Sequence, residues 1–183
     1  MTGQTLEREA IRRLKAGDIT GLEVLVREYQ LQAVRAADLI TRDRALAEDI
    51  VQAVFIRAYE RIDQFDESRS FGPWFLRSVV NDAVKKVTRK RELVSLDSLP
   101  ELSFEELWVK NEPDPEEHLV AREAHQQVWD ALGRLPPEQR AVVVLRYYLE
   151  LSLEEISQEI VAPPGTIKWR LHQARARLKK ILG

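Results

Sequence analysis

Trp74, Arg77, Asn81, Lys85 and Arg89 stand three or four residues apart, the spacing that lines side chains along one side of a helix. An aromatic ring heading a row of cations and an amide suits single-stranded nucleic acid. The ring offers a stacking surface worth about 1–3 kcal/mol per base, and the cations follow the backbone. The same ring could instead cover the core beneath the loop of residues 63–70, and both readings stand at this point. A second row lies near the end of the chain. On a helical wheel Ile167, Leu171, Ala174 and Leu178 fall within about 60° of one another and make a stripe to be buried. Trp169 lies opposite, flanked by Thr166, His172, Gln173 and Ala176, with Lys168, Arg170, Arg175 and Arg177 on the shoulders. Polar side chains at the centre can meet base edges while cations at the rim meet phosphates. Trp169 either joins that reading face or packs on a neighbouring helix. A third group centres on Ile56, which Glu48, Asp49, Gln52 and Glu60 surround on the side away from Ala47, Ile50, Val51, Val54, Phe55 and Ala58. An exposed isoleucine is often without consequence; ringed by carboxylates and an amide, it has the form of the apolar centre of a partner-binding patch.

Catalysis has little to work with. The chain has no cysteine and three scattered histidines, and it lacks a glycine-rich phosphate loop. No metal, cofactor or enzymatic role is expected, and His172 alone supports none.

Charge separates along the chain. The net charge of the 183 residues is −2. Residues 72–91 nevertheless carry six basic groups and one acidic, residues 92–124 two basic and ten acidic, and residues 166–183 six basic and none acidic. Phosphate binding follows local rather than total charge, so two basic segments flanking an acidic one point to nucleic acid.

Apolar residues recur at helical spacing almost throughout, and no segment alternates convincingly as a strand. Helices are expected over Leu6–Ala16, Thr20–Ile40 and Arg44–Ile62, with a fourth opened by Gly72-Pro73. Periodicity fades from Glu92 to about Asp114, where Leu102, Phe104, Leu107 and Trp108 are the apolar features of a stretch that either tethers or docks. Asp114-Pro115-Glu116-Glu117 then reads as a helix start, and Gly133 and Pro136-Pro137 precede a helix over Glu138–Leu149. Ser152-Leu-Glu-Glu155 is a capping box opening a short helix to about Val161. The turn Ala162-Pro-Pro-Gly165 leads to a basic helix over Thr166–Leu182, completing a helix-turn-helix pattern. The expectation is an all-α chain of two helical domains, 1–92 and 115–183, joined by an acidic linker over 93–114. The longest apolar run is five residues, Ala141–Leu145, against the ~20 needed to cross a membrane. With no apolar signal stretch at the N-terminus, a cytoplasmic protein is expected.

Three segments resemble a known family. Ala47-Glu-Asp-Ile-Val-Gln-Ala-Val-Phe-Ile-Arg-Ala-Tyr59 is similar to region 2.2 of the sigma-70 family, and Phe71-Gly-Pro-Trp-Phe-Leu-Arg-Ser-Val-Val-Asn81 to regions 2.3 and 2.4. Leu135-Pro-Pro-Glu-Gln-Arg-Ala-Val-Val-Val-Leu-Arg-Tyr147, with Leu151–Ser157 and Gly165–Arg175, resembles region 4. Their order and spacing match the extracytoplasmic-function (ECF) group. The resemblance implies a promoter-specificity subunit of bacterial RNA polymerase. Glu48, Asp49, Gln52 and Ile56 would dock on the clamp helices of core polymerase. Phe71, Trp74, Arg77, Asn81, Lys85 and Arg89 would hold the melted −10 element. Thr166, Lys168, Trp169, Arg170, His172, Gln173 and Arg175 would read the −35 element as duplex. An anti-sigma partner is typical of the group. The chain departs from the family pattern at Ala53, where an acid is usual, and at Lys85, where an aspartate is common. Val161–Pro164 replaces a glycine-containing turn, and Trp169 a small residue. A free-standing helix-turn-helix regulator is the rival reading; it explains the last helix but neither Trp74 above its basic row nor the acidic linker.

Overall fold

The computed structural model describes residues 3–93, 126–160 and 162–183, and all the regular structure among them is helical. The chain divides into two compact units, Met1–Lys85 and Lys86–Gly183. Residues 94–114 of the acidic linker, the helix start at Asp114 and Val161 lie outside the described residues.

The first unit is built from α1 (Gly3–Lys15), α2 (Thr20–Thr41), α3 (Arg44–Glu60) and α4 (Phe71–Leu93), the last running on past the division. Small residues let these helices approach closely. A Cβ on Gly21 would lie 2.3 Å from the Ala10 carbonyl oxygen, so only glycine allows α2 to cross α1 there. Ala33, Ala36 and Ala37 of α2 and Ala47 of α3 are fully buried in the same way. The turn between α2 and α3 is made by Arg42 in the left-handed region (φ 54°) and by Asp43, whose side chain accepts the Leu46 N–H at 3.1 Å as the N-cap of α3. Just before that turn Asp38 is 2% exposed, and burial pushes its carboxyl up to about 6.

An aromatic cluster joins α4 to the rest. Phe75 lies 4.1 Å from Phe55 between ring centroids, and Tyr29 sits 5.8 Å from Phe71. A Cβ on Gly72 would meet the Tyr29 ring at 2.5 Å, so the glycine before Pro73 is also a packing requirement. Glu7 of α1 serves this corner twice. Its carboxylate accepts the Phe71 N–H at 3.0 Å, satisfying a first-turn donor of α4, and it accepts the Tyr29 hydroxyl. Desolvation, reinforced by Glu7, raises the Tyr29 phenol well above its ordinary value.

The second unit contains α5 (126–133), α6 (Pro137–Val143), α7 (Leu153–Ile160) and α8 (Pro164–Leu182). Arg140, 6% exposed, ties α6 to the end of α5: its Nη2 donates to the carbonyls of Gly133 at 3.2 Å and Leu135 at 3.0 Å. The helix expected to run evenly to Leu149 widens instead into a π turn over Val144–Tyr148, closed by the Leu149 N–H on the Val144 carbonyl at 3.0 Å. Val144 and Leu145 within the turn and Leu151 after it are all buried. The capping box forms as the spacing predicts. Ser152 N–H donates to Glu155 Oε2 at 2.8 Å and Glu155 N–H to Ser152 Oγ at 3.2 Å.

Candidate nucleic-acid and partner-binding surfaces

On α3 the predicted inner face is buried from Ala47 to Ala58, with Leu46 half-buried. Glu48, Asp49, Gln52, Ala53, Ile56 and Glu60 are exposed, Ile56 at 52%. Glu48 is paired with Arg44 at 2.6 Å along the helix. Tyr59, exposed one turn beyond Ile56, extends the patch and was not singled out from the sequence; its i+3 spacing was the available signal. The helix ends at Glu60 rather than Ile62, which is buried in a short 3-10 turn, Ile62–Gln64.

The basic face of α4 differs from expectation at its start. Phe71, assigned by resemblance to the −10 surface, is 0% exposed and stacks on Phe75, with centroids 5.5 Å and planes 13° apart. That assignment is corrected: the helix begins at Phe71 itself, one turn before the buried Phe75, and the ring lies in the core rather than on the surface. Trp74 is half-buried, 5.2 Å from Phe65 and 5.5 Å from Phe71 between centroids. It therefore rests on the loop and core while keeping part of its surface outside. Phe65 anchors that loop and is itself buried. Lys15 Nζ donates to its carbonyl at 2.8 Å and pairs with Glu67 at 3.0 Å. Asp66 Oδ1 accepts the Ser68 N–H at 2.9 Å, and its hydrogen bonds with Ser68 lower its carboxyl below the usual range. Along the face Arg77 and Asn81 are half-buried and Lys85 and Arg89 exposed. Asp82, beside them, takes an ion pair from Arg57 and lies 4.0 Å from Lys85.

In the second unit α8 starts at Pro164, with Pro163 as N-cap, so Pro164-Gly165 forms its first turn rather than preceding it. Thr166 consequently lies inside that turn, half-buried, its N–H on the Pro163 carbonyl at 2.8 Å. Ile167, Leu171 and Ala174 are buried as the wheel requires. Lys168, Trp169, His172 and Arg175 are exposed, and Arg170 and Gln173 half-buried. At 58% exposure Trp169 does not pack away. The turn before α8 is held by Ser157, whose hydroxyl donates to the Ala162 carbonyl at 2.6 Å.

Among the described residues no helix is long and apolar enough to cross a membrane, and no cluster of His, Asp or Glu is arranged to hold a metal ion. A helix-turn-helix whose last helix is acid-free, together with a second basic face on α4, has the character of a nucleic-acid-binding protein.

Comparison with known proteins gives the family. The Sigma-70 region 2 profile matches residues 25–92 and the Sigma-70, region 4 profile residues 125–178. The chain is 32% identical to the ECF RNA polymerase sigma factor SigW of Bacillus subtilis (strain 168), over 96% of each chain. It is 29% identical to the ECF RNA polymerase sigma-E factor of Escherichia coli (strain K12), over 96% of this chain and 93% of that one. The fold is shared with CnrH, solved in complex with the cytosolic domain of CnrY, at 21% identity over 97% of each chain and a TM-score of 0.65. The chain belongs to the sigma-70 family, in its extracytoplasmic-function group.

Proposed function

We propose that this sigma subunit divides its work among three helical faces. The exposed side of α3, centred on Ile56 with Asp49, Gln52 and Glu48, binds core RNA polymerase. Trp74, Arg77, Asn81, Lys85 and Arg89 of α4 hold the −10 element once its strands part. Lys168, Trp169, Arg170, His172, Gln173 and Arg175 of α8, with Thr166 at its start, read the −35 element as duplex. Holding an unstacked base offsets part of the few kcal/mol that opening each step costs. The chain performs no bond chemistry, needs no cofactor and acts in the cytoplasm. Domain limits near 92 and 115, with the acidic segment between them, belong to the same proposal. So does control by an anti-sigma partner, such as the NepR with which the sigma factor RpoE of Bartonella quintana was solved.

The observation that carries this reading is Ile56, 52% exposed on a helix that buries Ile50, Val51, Val54 and Phe55. An apolar side chain ringed by acids is a docking feature rather than a packing one. The test is an electrophoretic shift of promoter DNA by the protein alone and with core polymerase. Tight binding should appear only with core, and Ile56→Glu should abolish it while leaving the melting temperature unchanged. Tight operator-like binding by the protein alone would support a free-standing regulator instead.

A further inference from the structure

Tyr147 belongs to none of the surfaces above. It lies in the π turn Val144–Tyr148, is 53% exposed, and is 28 residues from its partner in sequence. Its phenol oxygen accepts the Nε–H of Arg175 at 2.7 Å, and the Arg175 guanidinium carbon lies 5.6 Å from the ring centroid. The turn is firmly pinned. Leu151 N–H donates to the Leu145 carbonyl at 3.0 Å and Arg146 Nη1 to the Leu151 carbonyl at 2.8 Å. A π turn changes the direction of the residues that follow it and is frequent at functional sites; here it carries the ring that meets α8.

The contact uses one donor of several. A guanidinium has five N–H donors, and the phenol takes the one on Nε, which leaves the Nη donors available to a further acceptor. A hydroxyl that accepts through its oxygen still has its own proton to give, and accepting from a cation strengthens that donor. Arg175 shares its shoulder of α8 with Lys168 and Lys179, within about 40° on the wheel, bordering the face that carries His172 and Trp169. A cationic fork beside a polarised hydroxyl on that rim matches an anion that offers several oxygens to donors from one side. Phosphodiesters are such anions.

We propose that Tyr147 and Arg175 clamp one phosphodiester of duplex DNA, so that a residue outside the helix-turn-helix supplies a backbone contact. The inference rests on the reading that α8 faces the −35 duplex. Its test is equilibrium binding of duplex promoter probes by the full chain with core polymerase, across a salt series, with Tyr147→Phe, Arg175→Ala, the double variant and Lys168→Ala. Tyr147→Phe keeps the ring and loses the hydroxyl. It should bind about three- to tenfold more weakly with an unchanged salt slope, because no charge is removed. Arg175→Ala should reduce the slope by about one counterion, and the double variant should be little weaker than Arg175→Ala. Neutral methylphosphonate placed at successive backbone positions should reveal one phosphate whose replacement weakens the wild type, weakens Tyr147→Phe less and leaves Arg175→Ala nearly unaffected. If Lys168→Ala weakens binding and Tyr147→Phe does not, the clamp is wrong and the DNA face of α8 stands. Independent, fully multiplicative losses for Tyr147 and Arg175 would also overturn the clamp. If Lys168→Ala and Tyr147→Phe are both silent, face and clamp fall together.

Discussion

The two basic helices carry the same ingredients, a tryptophan among cations, in opposite mechanical settings. Trp74 of α4 is half-buried on Phe65 and Phe71, whose rings continue through Phe75 to Phe55. Trp169 of α8 is 58% exposed, above a stripe of Ile167, Leu171 and Ala174 that it does not touch on the wheel. The cations differ too. Lys85 of α4 lies beside Asp82, which also holds Arg57, whereas α8 after Gly165 contains no acid at all. A ring braced by the core is a rigid platform, fit to hold a base that has left its stack. On the proposed function, a projecting ring on a helix without acids suits a regular duplex, whose grooves and phosphates are already in place. The contrast teaches that residue type alone does not define the task; the support beneath the residue does.

Loss of that support should give the largest effect. Phe71→Ala removes a fully buried ring and should cost about 3–5 kcal/mol in the stability of the first unit. Trp169→Ala should change the stability of the second by less than about 0.5 kcal/mol. Thermal and denaturant melts of the two variants check the contrast, and similar losses in both would erase it.

The first unit should also respond to pH through Asp38. Its folded carboxyl titrates near 6, above the ordinary 3.8. Stability from this group is therefore full below about pH 4 and declines as pH rises through about 6. Asp38→Asn cannot titrate, so its stability relative to the wild type should rise between pH 4 and 7 by up to about 2–3 kcal/mol. Denaturant melts across that range measure the rise, and parallel pH profiles would refute it.

For α8 the sharper test is base preference. Gln173→Ala should cost about 1–3 kcal/mol at a single base pair and relax the choice there. Binding over a library of −35 variants reads this out. If preference is unchanged, the helix is read from another face.

What could be read from the sequence follows the reach of helical periodicity. The buried stripe of α8, the inner face of α3 and the capping box at Ser152 depend on neighbours within a few residues, and local spacing fixes them. The burial of Phe71 involves Glu7 and Tyr29, far away in the chain, so the Gly72-Pro73 signal placed the helix start one residue late, and the resemblance alone put the ring on the −10 surface. The contact of Tyr147 with Arg175 has the same origin, because a wheel drawn for each helix cannot show that a π turn brings them together. Nothing in the local spacing marks Asp38, which is buried where the alanines of α2 and α3 are also buried.

The division of labour between the two helices is tested most directly by assaying Trp74→Ala and Lys168→Ala side by side with core polymerase. Closed-complex binding is measured at low temperature, and strand opening by permanganate reactivity once the complex is warmed. The account predicts that Trp74→Ala binds normally and opens poorly, because the platform acts only on unpaired bases. Lys168→Ala should bind weakly, with about one counterion less in its salt dependence, and open normally at saturating protein. Equal deficits of both variants in both steps would contradict it.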